Sequence, residues 1–256
     1  MFFIGIVPGL ATLLMRRSLK ESAIFERAKA ANRISSDVSE IFRRPFLGRT
    51  LTATLLSAGA LGGNYTILTW LPTFLREVRH LSILHTGTYL GATIIGSFFG
   101  YILCAHLSDA LGRRKTFVIM AITASITVIL YTMADIRAGW VLLMGFLLGF
   151  SQSGIMAGMG AALAELFPTK VRGNGQGFSY NAGRGIGAVM PALVGYMGAL
   201  MPLGTAISGL AVVSYAFVLV ATVMLPETKG TELLDHELVE SAALPGTEEK
   251  EFLKYE

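Results

Sequence analysis

Cysteine is almost missing from this chain: Cys104 stands alone among 256 residues. A single cysteine builds neither an intrachain disulfide framework nor a Cys-rich zinc site. Histidine is sparse as well, and His80, His85, His106 and His236 show no H-E-x-x-H pattern and no Cys partner at ligand spacing. Spacing therefore points to no metal and no cofactor. Charge is in the shortest supply. Asp, Glu, Lys and Arg make up 15% of the chain, where an ordinary soluble domain has about a quarter. Residues 16–49 hold 13 of the 38 charges and residues 226–256 hold 12, which leaves 13 for the other 191 residues. A chain so depleted cannot cover a water-facing surface with polar groups, which excludes a soluble globule, a disordered protein and a nucleic-acid binder.

What is abundant is apolar. The residues AVILMFWYC reach 53% and the mean hydropathy is +0.59, so the expected solvent is a lipid bilayer. Six runs are long enough to span it: residues 51–75, 86–107, 116–134, 138–164, 173–200 and 204–225. At 1.5 Å per residue each reaches about 30 Å. Pro72 and Pro191 fall inside two of them and are expected to kink their helices. The opening run, Phe2 to Leu14, is shorter and is followed by Arg16 and Arg17, the reverse of a signal peptide. It reads as the back half of another membrane helix, which suggests a piece of a longer protein. The expected organisation is a truncated membrane helix over 1–15, a cytoplasmic loop over 16–50, a six-helix transmembrane bundle over 51–225 and a cytoplasmic tail over 226–256.

Orientation follows from the basic residues. Of 21 Lys and Arg, 17 lie on residues 16–49, 108–115, 165–172 and 226–256, and three lie on the alternate connections 76–85, 135–137 and 201–203. The rich set belongs in the cytoplasm, and with it the C-terminus. The mixed charges at helical spacing in the 16–49 loop read as a solvated surface helix, with lipid-headgroup binding as the alternative. The acidic tail is expected to be loosely ordered.

Four segments carry more than charge. Gly100-Tyr101 leads to Leu107-Ser108-Asp109 and, past Gly112, to Arg113-Arg114-Lys115, which places a carboxylate four residues before an arginine on a tight turn. Further on stand Glu165-Leu166-Phe167-Pro168-Thr169-Lys170-Val171-Arg172-Gly173 and Pro226-Glu227-Thr228-Lys229-Gly230, and the chain opens on Phe2-Phe3-Ile4-Gly5-Ile6-Val7-Pro8 with Arg17 and Glu21-Ser22 behind it. In combination these residues resemble the C-terminal six-helix half of the major facilitator superfamily. The resemblance implies an all-α integral membrane fold, half of a twelve-helix transporter whose N-terminal half is the missing partner. It also implies that Asp109, Arg113, Glu165 and Arg172 form a cytoplasmic gate. The alternative for these four is anchorage of helix ends among lipid headgroups.

Arg184 is the one charged residue deep within a full span. An arginine at the bilayer centre costs roughly 3 kcal/mol even on the lower scale, so it is expected to face the bundle interior. At 100° per residue Gly177, Tyr180, Asn181, Arg184, Ala188 and Pro191 share a stripe. A guanidinium there is either a bidentate partner for a carboxylate or a cavity residue satisfied by backbone carbonyls or Asn181. The run from Tyr180 to Pro191 resembles the eleventh helix of bacterial organic-acid:proton symporters. Its tyrosine-asparagine part is similar to sialate porters and its glycine-arginine part to aromatic-acid porters, so the shared implication is an organic anion with protons as the coupling ion. Asn64 and Gln152 are further midplane polar residues that fit substrate hydroxyls or, alternatively, bond one helix to another. Tyr65 and Trp70 stack on substrate rings or simply pack.

Three patterns mislead. Gly183-x-Gly185-x-Gly187 imitates a dinucleotide loop but lies inside an apolar span with no strand before it. Asn64-Tyr65-Thr66 is a glycosylation sequon at mid-membrane. The Gly-x3-Gly pairs Gly96/Gly100 and Gly145/Gly149 are expected to serve helix packing within one chain. The function expected is secondary active transport without enzymatic chemistry, in an inner (plasma) membrane. A sugar porter half, favoured by Pro226 to Gly230, and a non-transporting fragment are the alternatives. Reporter fusions check the orientation: those after Arg33 and at the C-terminus are expected to report cytoplasm and one after His80 the outside, and an outward report at Arg33 overturns the assignment.

Overall fold

In the computed structural model the described residues are 37–134 and 138–226, together with Thr12. The opening run, most of the 16–49 loop and the tail beyond Pro226 lie outside them. A 3₁₀ turn, Val38–Phe42, is started by Asp37, whose side chain accepts from the Ser39 amide. It leads into α1, Arg44–Glu77, with Pro45 in the first turn, where its missing N–H has no partner to lose. Next come α2, Ile83–Leu111, with Ser82 at its N-cap; α3, Arg113–Met133; and α4, Ala138–Leu166. The remainder is α5, Arg172–Gly187; α6, Met190–Gly198; and α7, Leu203–Met224. Every regular element among the described residues is helical, as a segment that must satisfy its own backbone in lipid requires.

Four of these helices are long and apolar enough to cross a membrane: α2, α3, α4 (from Gly139) and α7. The two other expected spans differ. The run 51–75 lies within the 34 residues of α1, whose glycines, threonines and Asn64 lower its hydropathy. The run 173–200 is not one helix. It divides into α5 and α6 at Ala188 and Val189, because Pro191 has no N–H to offer the carbonyl one turn back and its ring crowds that carbonyl. Pro72 lies inside α1, which continues past it.

Contacts between the helices repeat in two sets of three. α1 packs against α5 and α7, α4 packs against α2 and α3, and α3 meets α7 where the sets join. Exchanging α1 with α4, α2 with α5–α6 and α3 with α7 returns the same pattern, the mark of an internal repeat. Backbones touch at the α2–α4, α1–α5 and α1–α7 contacts. A Cβ on Gly149 would stand 1.9 Å from the Thr93 carbonyl oxygen, and one on Gly96 2.0 Å from that of Phe146. One on Gly183 would meet Ser57, and one on Gly187 would stand 2.8 Å from the Gly62 amide nitrogen. Gly96, Gly100 and Gly149 thus pack helix on helix within the chain. Large buried side chains fill the wider gaps, with Tyr215 against Gly63 and Phe74 tilted on Tyr131 at 6.3 Å between ring centroids.

The outer faces are apolar. Ile94, Ile95, Phe98, Ile102 and Leu103 of α2 are all exposed, a stripe that suits acyl chains rather than water. Between α2 and α3 there is a single residue, Gly112, at φ 97°, a conformation that any Cβ would strain.

Two substitutions read the backbone contact against simple helix propensity. Gly149→Ala forces its methyl into the Thr93 carbonyl and is expected to lose about 1–3 kcal/mol. Gly91→Ala, with nothing within 4 Å, is expected to be neutral or to gain up to about 1 kcal/mol. Thermal unfolding in detergent is the measurement, and equal melting temperatures for the two variants contradict the close approach.

Candidate functional site

At mid-depth the structure joins two of the residues singled out above. The Gln152 side-chain amide donates to the Asn64 side-chain oxygen, linking α4 to α1. Gln152 is buried and Asn64 half-buried. α1 and α4 are the counterparts under the internal repeat, so this bond crosses between the two sets of helices. It is the interhelical alternative for these residues, and it also places two amides side by side.

Arg184 departs from expectation. Its side chain is exposed and, among the described residues, makes neither a hydrogen bond nor an ion pair. The reason is its neighbour: Gly183 is buried against Ser57 and Ala58, and Gly187 against Gly62, so α5 turns its glycine face to α1 and Arg184 to the open side. Asn181 does not satisfy it, since the Asn181 amide donates to the Gly177 carbonyl of its own helix at 2.8 Å. Arg184 stands twelve residues into α5, about 18 Å from its start. Gln152 stands fourteen residues before the end of α4, about 21 Å. With only residues 167–171 between the two helices, Arg184 and the Asn64–Gln152 pair share one depth. Trp70 is occupied elsewhere, its indole N–H donating to the Pro191 carbonyl at 2.9 Å.

Tyr180, one turn before Arg184, lines a cavity of 550 Å³. Tyr101 of α2, Met156, Met159 and Leu163 of α4, and Gln176 of α5 form its other walls. None of its lining residues is charged.

At the end of the bundle where α4 passes to α5, the charged residues do pair. Arg113 holds Glu165 by two bonds, Nη2 to Oε1 at 3.0 Å and Nε to Oε2 at 3.4 Å. Its Nη1 reaches the Ser108 hydroxyl at 3.2 Å and the Asp109 carboxylate. Arg113 and Glu165 are 13% and 11% exposed and Asp109 is 72% exposed, so the first two form the sheltered pair and Asp109 its rim. Arg172 does not join them: its Nε donates to the Phe167 carbonyl at 3.2 Å, because Arg172 opens α5 and lies against the turn that precedes it.

Three arginines that sequence reasoning passed over serve helix ends. Arg49 donates to the Leu166 carbonyl, last of α4, at 3.2 Å. Arg114 donates to Thr222 and Val223 at the end of α7, at 3.1 and 3.2 Å. At the opposite end of the bundle Arg79 donates to Ala134 and, at 3.3 Å, Tyr131 at the close of α3. Unpaired carbonyls at a helix C-terminus carry partial negative charge, and a guanidinium both bonds and neutralises them. A count of basic residues by loop registers these arginines only as excess charge. Nearby, Lys170 pairs with Glu40, and Phe42 meets Phe178 edge-to-face at 4.9 Å, which pins the 3₁₀ turn to the base of α5. No group of three or more His, Cys, Asp or Glu that could hold a metal occurs among the described residues.

Residues 90–248 match the Major Facilitator Superfamily. The chain is 36% identical over 231 residues to a probable 4-methylmuconolactone transporter of Cupriavidus pinatubonensis, covering 90% of this chain and 53% of that protein. It is 29% identical over 228 residues to the cis,cis-muconate transport protein of Acinetobacter baylyi, covering 82% and 53%, and 29% identical over 207 residues to the sialic acid transporter NanX of Escherichia coli, covering 80% and 50%. The chain spans about half the length of the curated relatives it matches.

Removing one partner of the sheltered pair separates it from its rim. Glu165→Ala leaves Arg113 without its main counter-charge and is expected to lose about 3 kcal/mol of stability, while Asp109→Ala loses less than about 1 kcal/mol. Replacing Arg113 and Glu165 together by Leu is expected to recover most of the loss. Melting temperatures in detergent that fall equally for Asp109→Ala and Glu165→Ala contradict this ranking.

Proposed function

The chain belongs to the major facilitator superfamily and is a multi-pass membrane protein, not an enzyme, and from that premise we propose that it supplies one six-helix half of a secondary transporter for a small organic anion. Substrate is exchanged by alternating access between this half and an N-terminal counterpart, with protons as the coupling ion, in the inner (plasma) membrane and with the C-terminus in the cytoplasm. The observation that carries the reading is Arg184: a guanidinium at mid-span, on the open face of α5, without a partner among the described residues. A lipid-facing arginine at that depth is costly, whereas one that faces a counterpart half across a wet cavity is a fork of donors matched to a carboxylate.

Three further features support it. The Asn64–Gln152 pair lies at the same depth and at the junction of the internal repeat, where such folds place their substrate sites, and offers amides beside the guanidinium to the polar end of the substrate. Tyr180 and Asn181 flank Arg184 on its helix. The relatives named above are described as carrying muconolactone, muconate and sialic acid, which share acidic character and differ in size and polarity. Asp109, Arg113 and Glu165 form a latch at the cytoplasmic end that shifts when the halves rock, and Arg172 steadies the turn beside it. A neutral sugar as cargo leaves Arg184 without a purpose.

In a transporter completed by its second half, Arg184→Ala is expected to abolish anion uptake while membrane insertion persists. Arg184→Lys keeps the charge but not the planar fork and is expected to recover binding in part, weaker by about 1–3 kcal/mol. Uptake of labelled acid into vesicles reads both. Transport by the Ala variant with unchanged affinity makes Arg184 a structural residue and removes the main support for an anionic cargo.

A further inference from the structure

Resting on that reading of Arg184, we infer that the cavity between α4 and α5 takes the body of the substrate, and that the substrate class is an unsaturated or aromatic carboxylate rather than a polyhydroxylated acid. Position makes the connection. Among the lining residues, Tyr180 on α5 and Met156 on α4 stand one turn from Arg184 and from Gln152 respectively, so a carboxylate on the guanidinium can direct the rest of its molecule along these two side chains.

The chemistry of the walls then selects the body. Two tyrosine rings, two methionines and Leu163 face the space, and three glycines, Gly160, Gly173 and Gly177, leave flat backbone between them. Tyrosine offers a π-face to a planar ligand, and methionine sulfur is polarisable and favours contact with unsaturated carbon. Polar side-chain groups are few: the Gln176 amide and the hydroxyls of Tyr101 and Tyr180. A sugar acid brings a hydroxyl on nearly every carbon. Burying those against methionine and leucine leaves donors and acceptors without partners, each at substantial cost. A volume of 550 Å³ is in the range of small-molecule sites and accommodates a six- to ten-atom planar acid without filling. The Asn64–Gln152 pair sits beside the head of the ligand and so meets the carboxylate end rather than the body.

The experiment uses the chain in nanodiscs and saturation-transfer NMR, with the signal of empty discs subtracted. Sorbate and benzoate are the planar acids, gluconate the polyhydroxylated acid and benzamide the uncharged ring. Sorbate and benzoate are expected to receive saturation, gluconate and benzamide little or none. Tyr180→Ala and Met156→Ala are expected to weaken benzoate binding roughly threefold to tenfold each, and Tyr180→Phe, which keeps the ring, to preserve it. Helical content by circular dichroism shows which variants are folded. Gluconate binding as strongly as benzoate, or a Tyr180→Phe loss equal to that of Tyr180→Ala, overturns the planar class. Benzoate binding that Arg184→Ala abolishes and the Tyr180 and Met156 variants leave unchanged overturns the cavity assignment alone. The converse, sensitivity to Tyr180 and Met156 with indifference to Arg184, sinks the anion reading and retains the cavity. Absence of saturation for both planar acids on folded wild-type chain overturns both.

Discussion

Glycine faces that let helix backbones touch are the constraint on which the rest of this bundle depends. Lipid provides no hydrophobic drive for apolar helices to leave it, so association must come from close packing. Here that packing is concentrated at α2–α4, through Gly96, Gly100 and Gly149, at α1–α5, through Gly62, Gly183 and Gly187, and at α1–α7, through Gly59. Each contact fixes the rotation of its helices as well as their separation. Because Gly183 is turned to α1, Arg184 is turned away from it, and because α5 leans on α1 rather than on α4, a gap remains between α4 and α5. The exposed arginine and the cavity are two consequences of one contact.

Ends of helices impose the second condition. A helix leaves its last carbonyls unbonded, and in a bundle with few loops little water or chain is at hand to serve them. Arg49, Arg114, Arg79 and Arg172 each reach across to a carbonyl at or beyond a helix C-terminus. The same residues that orient a membrane protein by their charge also tie its helices to one another. Arg113 differs from them in choosing a carboxylate, which it holds through two bonds to Glu165.

Placing these features together gives the anion reading its coherence. A charged fork at mid-span, a pair of amides at the junction of the internal repeat and an uncharged, aromatic and sulfur-lined cavity form a graded surface from polar to apolar over about three helical turns. Such a surface matches a ligand with one acidic end and a planar body.

Much of this architecture was legible in the amino-acid order, because the bilayer imposes a simple rule on composition. A span must be apolar for about twenty residues, and the depletion of charge between residues 50 and 225 revealed the helical fold and nearly all the turns. The Asp109 to Arg113 turn and its Gly112 were legible for the same reason, since a one-residue reversal admits little but glycine. Local periodicity also marked Tyr180, Asn181 and Arg184 as one stripe. It did not decide where that stripe faces, because direction depends on which neighbour takes the glycine face, and that neighbour, Ser57 to Gly62, is more than a hundred residues away. The same distance hid the Asn64 to Gln152 bond, the separation of Arg172 from the Arg113–Glu165 pair and the arginine caps. Composition and period determined which segments are apolar and helical, four of them as single helices long enough to cross a membrane, and which residues are chemically out of place there. Only tertiary packing decided their partners, because hydrogen bonds and ion pairs are set by distances between helices that no local pattern contains.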